Sequence, residues 1–207
     1  MPLITSIKPQ NNGKRVNIYL DGEFGFGLDL ETFVKHKLKV EQQLTEEEIE
    51  KVVKEGEFQK VYKKILHYAS IRPRSEKEFS YWLKKHKVHE SMYDELFNRL
   101  KRLELLDDKK FATWWVEQRL QFKSKSVRAL KLELNQKGIK KGLVAEALDE
   151  ARIDEAMMAK RLIERKKYMW AKLDGYISRK KKSEFLARRG FSWDVIKKVL
   201  DNDVDYE

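Results

Sequence analysis

Hydrophobic and polar positions follow two patterns along the chain, and the change falls near residue 45. Before it, "LITSIKPQ" and "RVNIYLDG" are short β-leaning runs, and Asn11, Asn12 and Gly13 between them suit the positive φ angles of a tight hairpin. "DGEFGFGL" turns at Asp21-Gly22 and opens a third short strand. So small a sheet cannot bury a core alone. It is expected to pack on a short helix capped by Asp29 and on a longer one that starts at Thr45. From there the spacing turns helical. Thr45 and Glu48 have the spacing of a capping box, and apolar residues such as Val52, Phe58, Ile65 and Tyr68 continue toward Ile71. Arg72 precedes Pro73 and is pushed out of the helical region, which ends the run. Ser75 with Glu78 then makes a second capping box, and everything beyond it is helical in period.

The downstream part repeats itself. Aligned on Leu83, Leu134 and Leu186, the stretches "LKKHKV", "LNQKGI" and "LARRGF" superimpose, with Ser75, Ser126 and Ser178 eight residues upstream of the respective leucines. "LLDDKKFA" at 105–112 resembles "RIDEAMMA" at 152–159. Each unit reads as a basic helix, a tight turn at the Gly138 or Gly190 position, and two further helices, with the third unit truncated after two. Units of this length bury little by themselves and gain stability by packing on their neighbours.

Charge sharpens the picture. The net charge of the 207 residues is +11, and residues 1–70 are balanced, so the whole excess lies beyond residue 70. Residues 165–198 carry 12 basic and 3 acidic groups, which favours an interaction surface over an ordinary solvated face and points to a polyanionic partner. There is no cysteine, which excludes disulfides and thiolate metal sites. No apolar run approaches a membrane span, and "MPLITSIKPQ" lacks the order of a signal peptide, so a cytoplasmic protein without membrane contact is expected.

Catalytic chemistry finds little support. Asp107-Asp108 could suggest a metal nuclease, but adjacent carboxylates ahead of "KKFATWW" fit a helix N-cap, and Asp154-Glu155 repeat the arrangement. His86 and His89 have no third ligand at useful spacing. No phosphate-binding glycine loop or nucleophile constellation is present. The five tryptophans read as core, with one of Trp114 and Trp115 excepted because adjacent helix residues diverge by about 100°. The expectation is a non-enzyme with no metal and no cofactor.

"SIRPRSEKEFSYWLKKH", "LLDDKKFATWWVEQRL", "SVRALKLELNQKGI" and "FLARRGFSWDVI", in this order, strongly resemble the RecX regulators of the RecA recombinase, over residues 60 to about 200. Residues 1–59 are similar to an N-terminal β-containing extension of some members. The family often has Gly where Ser126 and Lys87 stand here. The resemblance implies a mainly α fold of tandem three-helix repeats in an elongated, curved array with a small N-terminal hairpin or three-stranded extension. It implies binding along the groove of the RecA–single-stranded DNA filament, lowered ATP hydrolysis and strand exchange, filament disassembly, and a place in recombination, repair and the SOS response.

The expected division is 1–59 (β-containing extension), 60–117 and 118–166 (three-helix repeats) and 167–207 (a truncated repeat). Charge and repeat register, rather than the family, nominate Arg72, Arg74, Lys84, Lys85, Lys125, Arg128, Lys131, Lys180, Lys181, Lys182, Arg188 and Arg189 as the surface facing RecA or DNA. Expected partners are the RecA filament and single-stranded DNA, with double-stranded DNA left open, and the protein is expected to be a monomer. The alternative is a stand-alone helical-repeat nucleic-acid binder that affects RecA only by competing for single-stranded DNA.

Overall fold

The computed structural model describes residues 1–11, 13–123 and 125–201. Three antiparallel strands, β1 (Ile4–Pro9), β2 (Arg15–Leu20) and β3 (Glu23–Asp29), form a sheet in the order β1-β2-β3. The β2–β3 loop has two residues, Asp21 at φ 49° and Gly22 at φ 89°, the paired positive φ of a type I′ turn. Asn12, expected in the first hairpin turn, lies outside the described residues; Gln10 N donates to Arg15 O at 2.8 Å to close that turn.

The sheet buries Ile4, Val16, Ile18, Phe26 and Leu28 against Leu38, Leu44 and Val52. Helix α1 (Leu30–Lys35) is capped by Asp29, which accepts from Thr32 N. Helix α2 (Glu46–Ile71) opens on the complete capping box: Glu48 N donates to Thr45 Oγ1 at 3.1 Å, and Thr45 N donates to Glu48 Oε2 at 2.8 Å. It ends at Arg72, extended at φ −165°, as the following proline dictates.

The chain divides into two compact units, residues 1–72 with 83–102 and residues 73–82 with 103–207. The first contains the sheet, α1, α2, the end of α3 (Glu76–Lys85) and α4 (Tyr93–Arg102). In it Arg99 lies over the rings of Phe58 and Tyr62, at 4.5 and 5.2 Å from their centroids. The second contains the start of α3, then α5 (Asp108–Lys123), α6 (Val127–Gln136), α7 (Lys141–Glu150), α8 (Glu155–Arg165), α9 (Gly175–Ala187) and α10 (Trp193–Asp201).

Two cores organise the second unit. Phe111, Trp115 and Val116 of α5 meet Leu130 and Leu134 of α6 and Val144 and Ala147 of α7. Ala159 and Ile163 of α8 meet Phe185 and Leu186 of α9 and Ile196, Val199 and Leu200 of α10. These bundles begin one helix earlier than the sequence repeat was divided, so the last bundle has three helices. A repeat period fixes the length of a unit but not the point at which its core begins.

Two sequence expectations need correction. Ser178 is not the counterpart of Ser75 and Ser126, because α9 starts earlier, capped by Asp174, which accepts from Tyr176 N at 3.0 Å. Trp193 is not core: as the first residue of α10 it is 68% exposed, whereas Trp115 and Trp170 are buried.

Candidate functional site

The basic helices of the repeats meet the glycine turns of their successors, and these meetings form two joints within the second unit. At the first, the start of α3 receives the end of α6. Ser75 is fully buried; its hydroxyl accepts from Glu78 N at 3.3 Å and donates to Lys137 O at 2.8 Å. Lys77 Nζ donates to Gln136 O at 3.0 Å, and Lys137 Nζ pairs with Glu78 at 2.6 Å. Gly138 follows at φ +83°, and a Cβ there would lie 2.8 Å from Lys77 Cβ.

At the second joint, the start of α6 receives the end of α9. Ser126, also fully buried, accepts from Ala129 N at 3.2 Å. Gly190, at φ +85°, packs so closely that a Cβ would lie 2.7 Å from Ser126 Oγ. In the common register Glu78 corresponds to Ala129, Ser80 to Lys131 and Gln136 to Arg188. The carboxylate of the first joint is therefore missing from the second, and two cations are added.

The result is a cleft of about 850 Å³ whose lining includes Lys125, Arg128, Lys131, Arg188 and Arg189 and, among the described residues, no carboxylate. Ala129, Leu132 and Ala187 supply apolar surface, Leu132 being 59% exposed. Arg128, Lys131 and Arg188 are exposed and have no ion-pair partner among the described residues. The other two cations are held in place. Lys125 pairs with Glu133, which also accepts from Arg119 Nε at 2.8 Å and Trp115 Nε1 at 2.9 Å. Burial pushes the Glu133 carboxyl up, but these three donors outweigh it and hold it below its ordinary value. The Arg189 guanidinium lies 3.6 Å from the Phe185 ring centroid; burial and the charge of Arg188 hold it below the ordinary arginine value.

The other nominated residues lie elsewhere. Arg72 ends α2, and Lys84 and Lys85 close α3 in the first unit. Arg74 forms a β-bridge with Leu106. Lys180 and Lys181 are exposed on α9 and Lys182 is half-buried; none of the three lines the cleft. The sequence reading missed Glu133, which reaches donors 8, 14 and 18 residues away, and missed Ala129, whose mismatch with Glu78 was visible in the repeat register.

Asp107 and Asp108 cap helices. Asp107 accepts from Lys109 N at 2.9 Å and Lys110 N at 3.0 Å, and Asp108 accepts from Glu76 N at 2.9 Å. Asp154 and Glu155 repeat both roles, accepting from Met157 N and Val127 N. Burial pushes the Asp108 carboxyl up, the bond from Glu76 N opposing it.

A small sheet followed by helical bundles with helix-capping serines and glycine turns is the architecture of a helical-repeat protein. Residues 2–45 match the Regulatory protein RecX N-terminal domain, 107–148 the RecX second three-helix domain, and 154–200 the RecX third three-helix domain. The regulatory protein RecX of Bacillus licheniformis is 36% identical over 209 residues, covering 100% of this chain and 79% of the relative. That of Bacillus subtilis is 32% identical with the same coverage. A crystal structure of a regulatory protein RecX superimposes with a TM-score of 0.72 at 25% identity, over 97% of this chain and 100% of the other. RecX from Lactobacillus salivarius gives 0.62 at 26% identity, over 70% of this chain and 95% of the other. The chain belongs to the RecX family of regulatory proteins.

Proposed function

We propose that this protein regulates the RecA recombinase by binding the RecA–single-stranded DNA filament in its groove, lowering ATP hydrolysis and strand exchange and favouring filament disassembly in recombination, repair and the SOS response. The observation that carries the reading is the convergence of Lys125, Arg128, Lys131, Arg188 and Arg189 on one cleft without a carboxylate in its lining. A filament that carries single-stranded DNA along its length offers a repeated row of phosphates, and neighbouring cations match it. In this reading the protein acts without catalysis, as a cytoplasmic monomer, and the acidic pair Asp107 and Asp108 is engaged by backbone amides.

The test is RecA ATPase on excess single-stranded DNA with the protein titrated in. Inhibition at substoichiometric amounts is expected. A requirement for enough protein to coat the free DNA would replace filament regulation with competition for sites, and no effect at any ratio would defeat both readings.

A further inference from the structure

We infer that the cleft between α6 and the α9–α10 turn seats a single-stranded phosphodiester backbone, on the order of two consecutive phosphates, and does so without reading bases. The inference deepens the regulatory reading and rests on it for the biological setting, but its chemistry is derived from the two joints. At the first joint, the turn docks beside a helix that presents Glu78, and the lysine of the turn is paired with it. The second joint puts Ala129 at that position, so its turn cations have no internal counter-charge there. The missing anion is left for a ligand to supply.

The arrangement of charges says which anion fits. Arg128 and Lys131 are three residues apart on α6, so they occupy neighbouring positions on one helix face. Arg188 and Arg189 come from the opposite wall. A chain carrying one charge per unit can engage both walls at once, each guanidinium offering paired donors to phosphate oxygens. An extended single strand can enter a concave slot of this kind. A duplex, with its phosphates outside a wide cylinder, meets only the rim. Among the described residues the lining holds no aromatic residue for a base to stack on, Asn135 is its one neutral polar side chain, and Leu132 with Ala129 and Ala187 offers apolar contact indifferent to base identity. Lys125, tied to Glu133, and Arg189, tied to Phe185, give the slot fixed edges; Arg128, Lys131 and Arg188 are the mobile contacts.

The test uses the full chain and fluorescence anisotropy of labelled oligo-dT across a salt series. Arg128→Ala, Lys131→Ala and Arg188→Ala combined, all exposed positions, should weaken binding about tenfold or more and shallow the log–log salt slope by up to about 1.4, at roughly 0.7 for each of the two phosphates. Oligo-dA should bind like oligo-dT, and duplex DNA more weakly. Ala129→Glu, which restores the charge of the first joint, should weaken binding in the same direction and shallow the slope by up to about 0.7, as for one lost contact. An unchanged slope in the triple variant overturns the inference, as does duplex binding equal to single-strand binding. Displacement of oligo-dT by poly-glutamate as effectively as by inorganic polyphosphate also overturns it, because the occupant would then be an acidic protein segment. The RecA ATPase assay stands apart: wild type that binds oligo-dT but leaves RecA untouched defeats only the regulatory reading. Inhibition of RecA that survives in the triple variant with its DNA binding intact defeats only the cleft.

Discussion

The two joints of the second unit use one backbone plan for two purposes. Both set a buried serine at the start of a basic helix against a positive-φ glycine at the end of the next repeat's basic helix. The first is closed by polar contacts: Ser75 to Lys137 O, Lys77 to Gln136 O, and Lys137 to Glu78. The second keeps the tight packing, without the ion pair, and opens beside it into a cationic cleft. A repeat protein can thus hold its scaffold geometry in the serine and glycine positions while a few substitutions around them turn a clamp into a receptor. The comparison implies that the glycines should matter most and about equally for folding, the serines unequally, and the ion pair least for stability but in the most informative way for binding.

The largest effect is expected from the glycines. Gly138 and Gly190 sit at φ values that β-branched residues avoid, and a Cβ at either collides with its neighbour at under 3 Å. Gly138→Val and Gly190→Val should each cost about 2–4 kcal/mol, read by thermal or urea unfolding. The two should cost about the same: Lys77 Cβ is fixed by the backbone and cannot rotate away from a Cβ at position 138, and Ser126 Oγ can turn from a Cβ at position 190 only by giving up its bond from Ala129 N. A clear difference between the two would show that one joint is the more rigid and that the shared backbone plan is not held equally at both.

The serines come next. Ser75→Ala loses a helix cap and also leaves Lys137 O without its hydroxyl donor, so about 2 kcal/mol is expected. Ser126→Ala loses the cap bond to Ala129 N and gains a little room against Gly190, so about 1 kcal/mol is expected. Unfolding midpoints of the two single variants measure the difference. Equal costs would mean that the Ser75–Lys137 bond adds nothing beyond the cap.

Much of this was legible in the sequence where the signal was local. The Thr45–Glu48 box, the Asp21-Gly22 turn, the stop at Pro73 and the cap at Ser75 each depend on residues a few positions apart, and each formed as expected. Gly138 and Gly190 read as turns for the same reason. What escaped depends on distance or phase. The repeat period said nothing about which helix opens each core, so Phe111 and Ala159 had to be seen packing on the helices that follow them. Ser178 looked equivalent to Ser126 only by register; Asp174, a better cap upstream, moved the start of the helix past it. Of the nominated basic residues, those from α6 and the α9 terminus converge because the joint brings the two segments together, and charge alone could not separate them from Lys180 and Lys181.

The smallest expected effect on stability, and the one that best isolates charge from shape, comes from Glu78→Ala. The carboxylate is 13% exposed and its partner Lys137 29% exposed, so removing the pair and its first-turn anion should cost about 1 kcal/mol. The serine cap and the Ser75–Lys137 bond stay in place, so the joint should keep its geometry. What changes is its electrostatics: the first joint then resembles the second, with an alanine where the carboxylate stood and Lys137 released from its pair. If uncompensated cations make the second joint a phosphate seat, Glu78→Ala should tighten oligo-dT binding and steepen the salt slope, by up to about 0.7 for one added contact. Anisotropy across a salt series reads both. An unchanged slope in a variant that has lost the expected stability would show that removing the anion is not sufficient. The difference between the joints would then lie in the open shape beside Leu132 rather than in the charge at position 129.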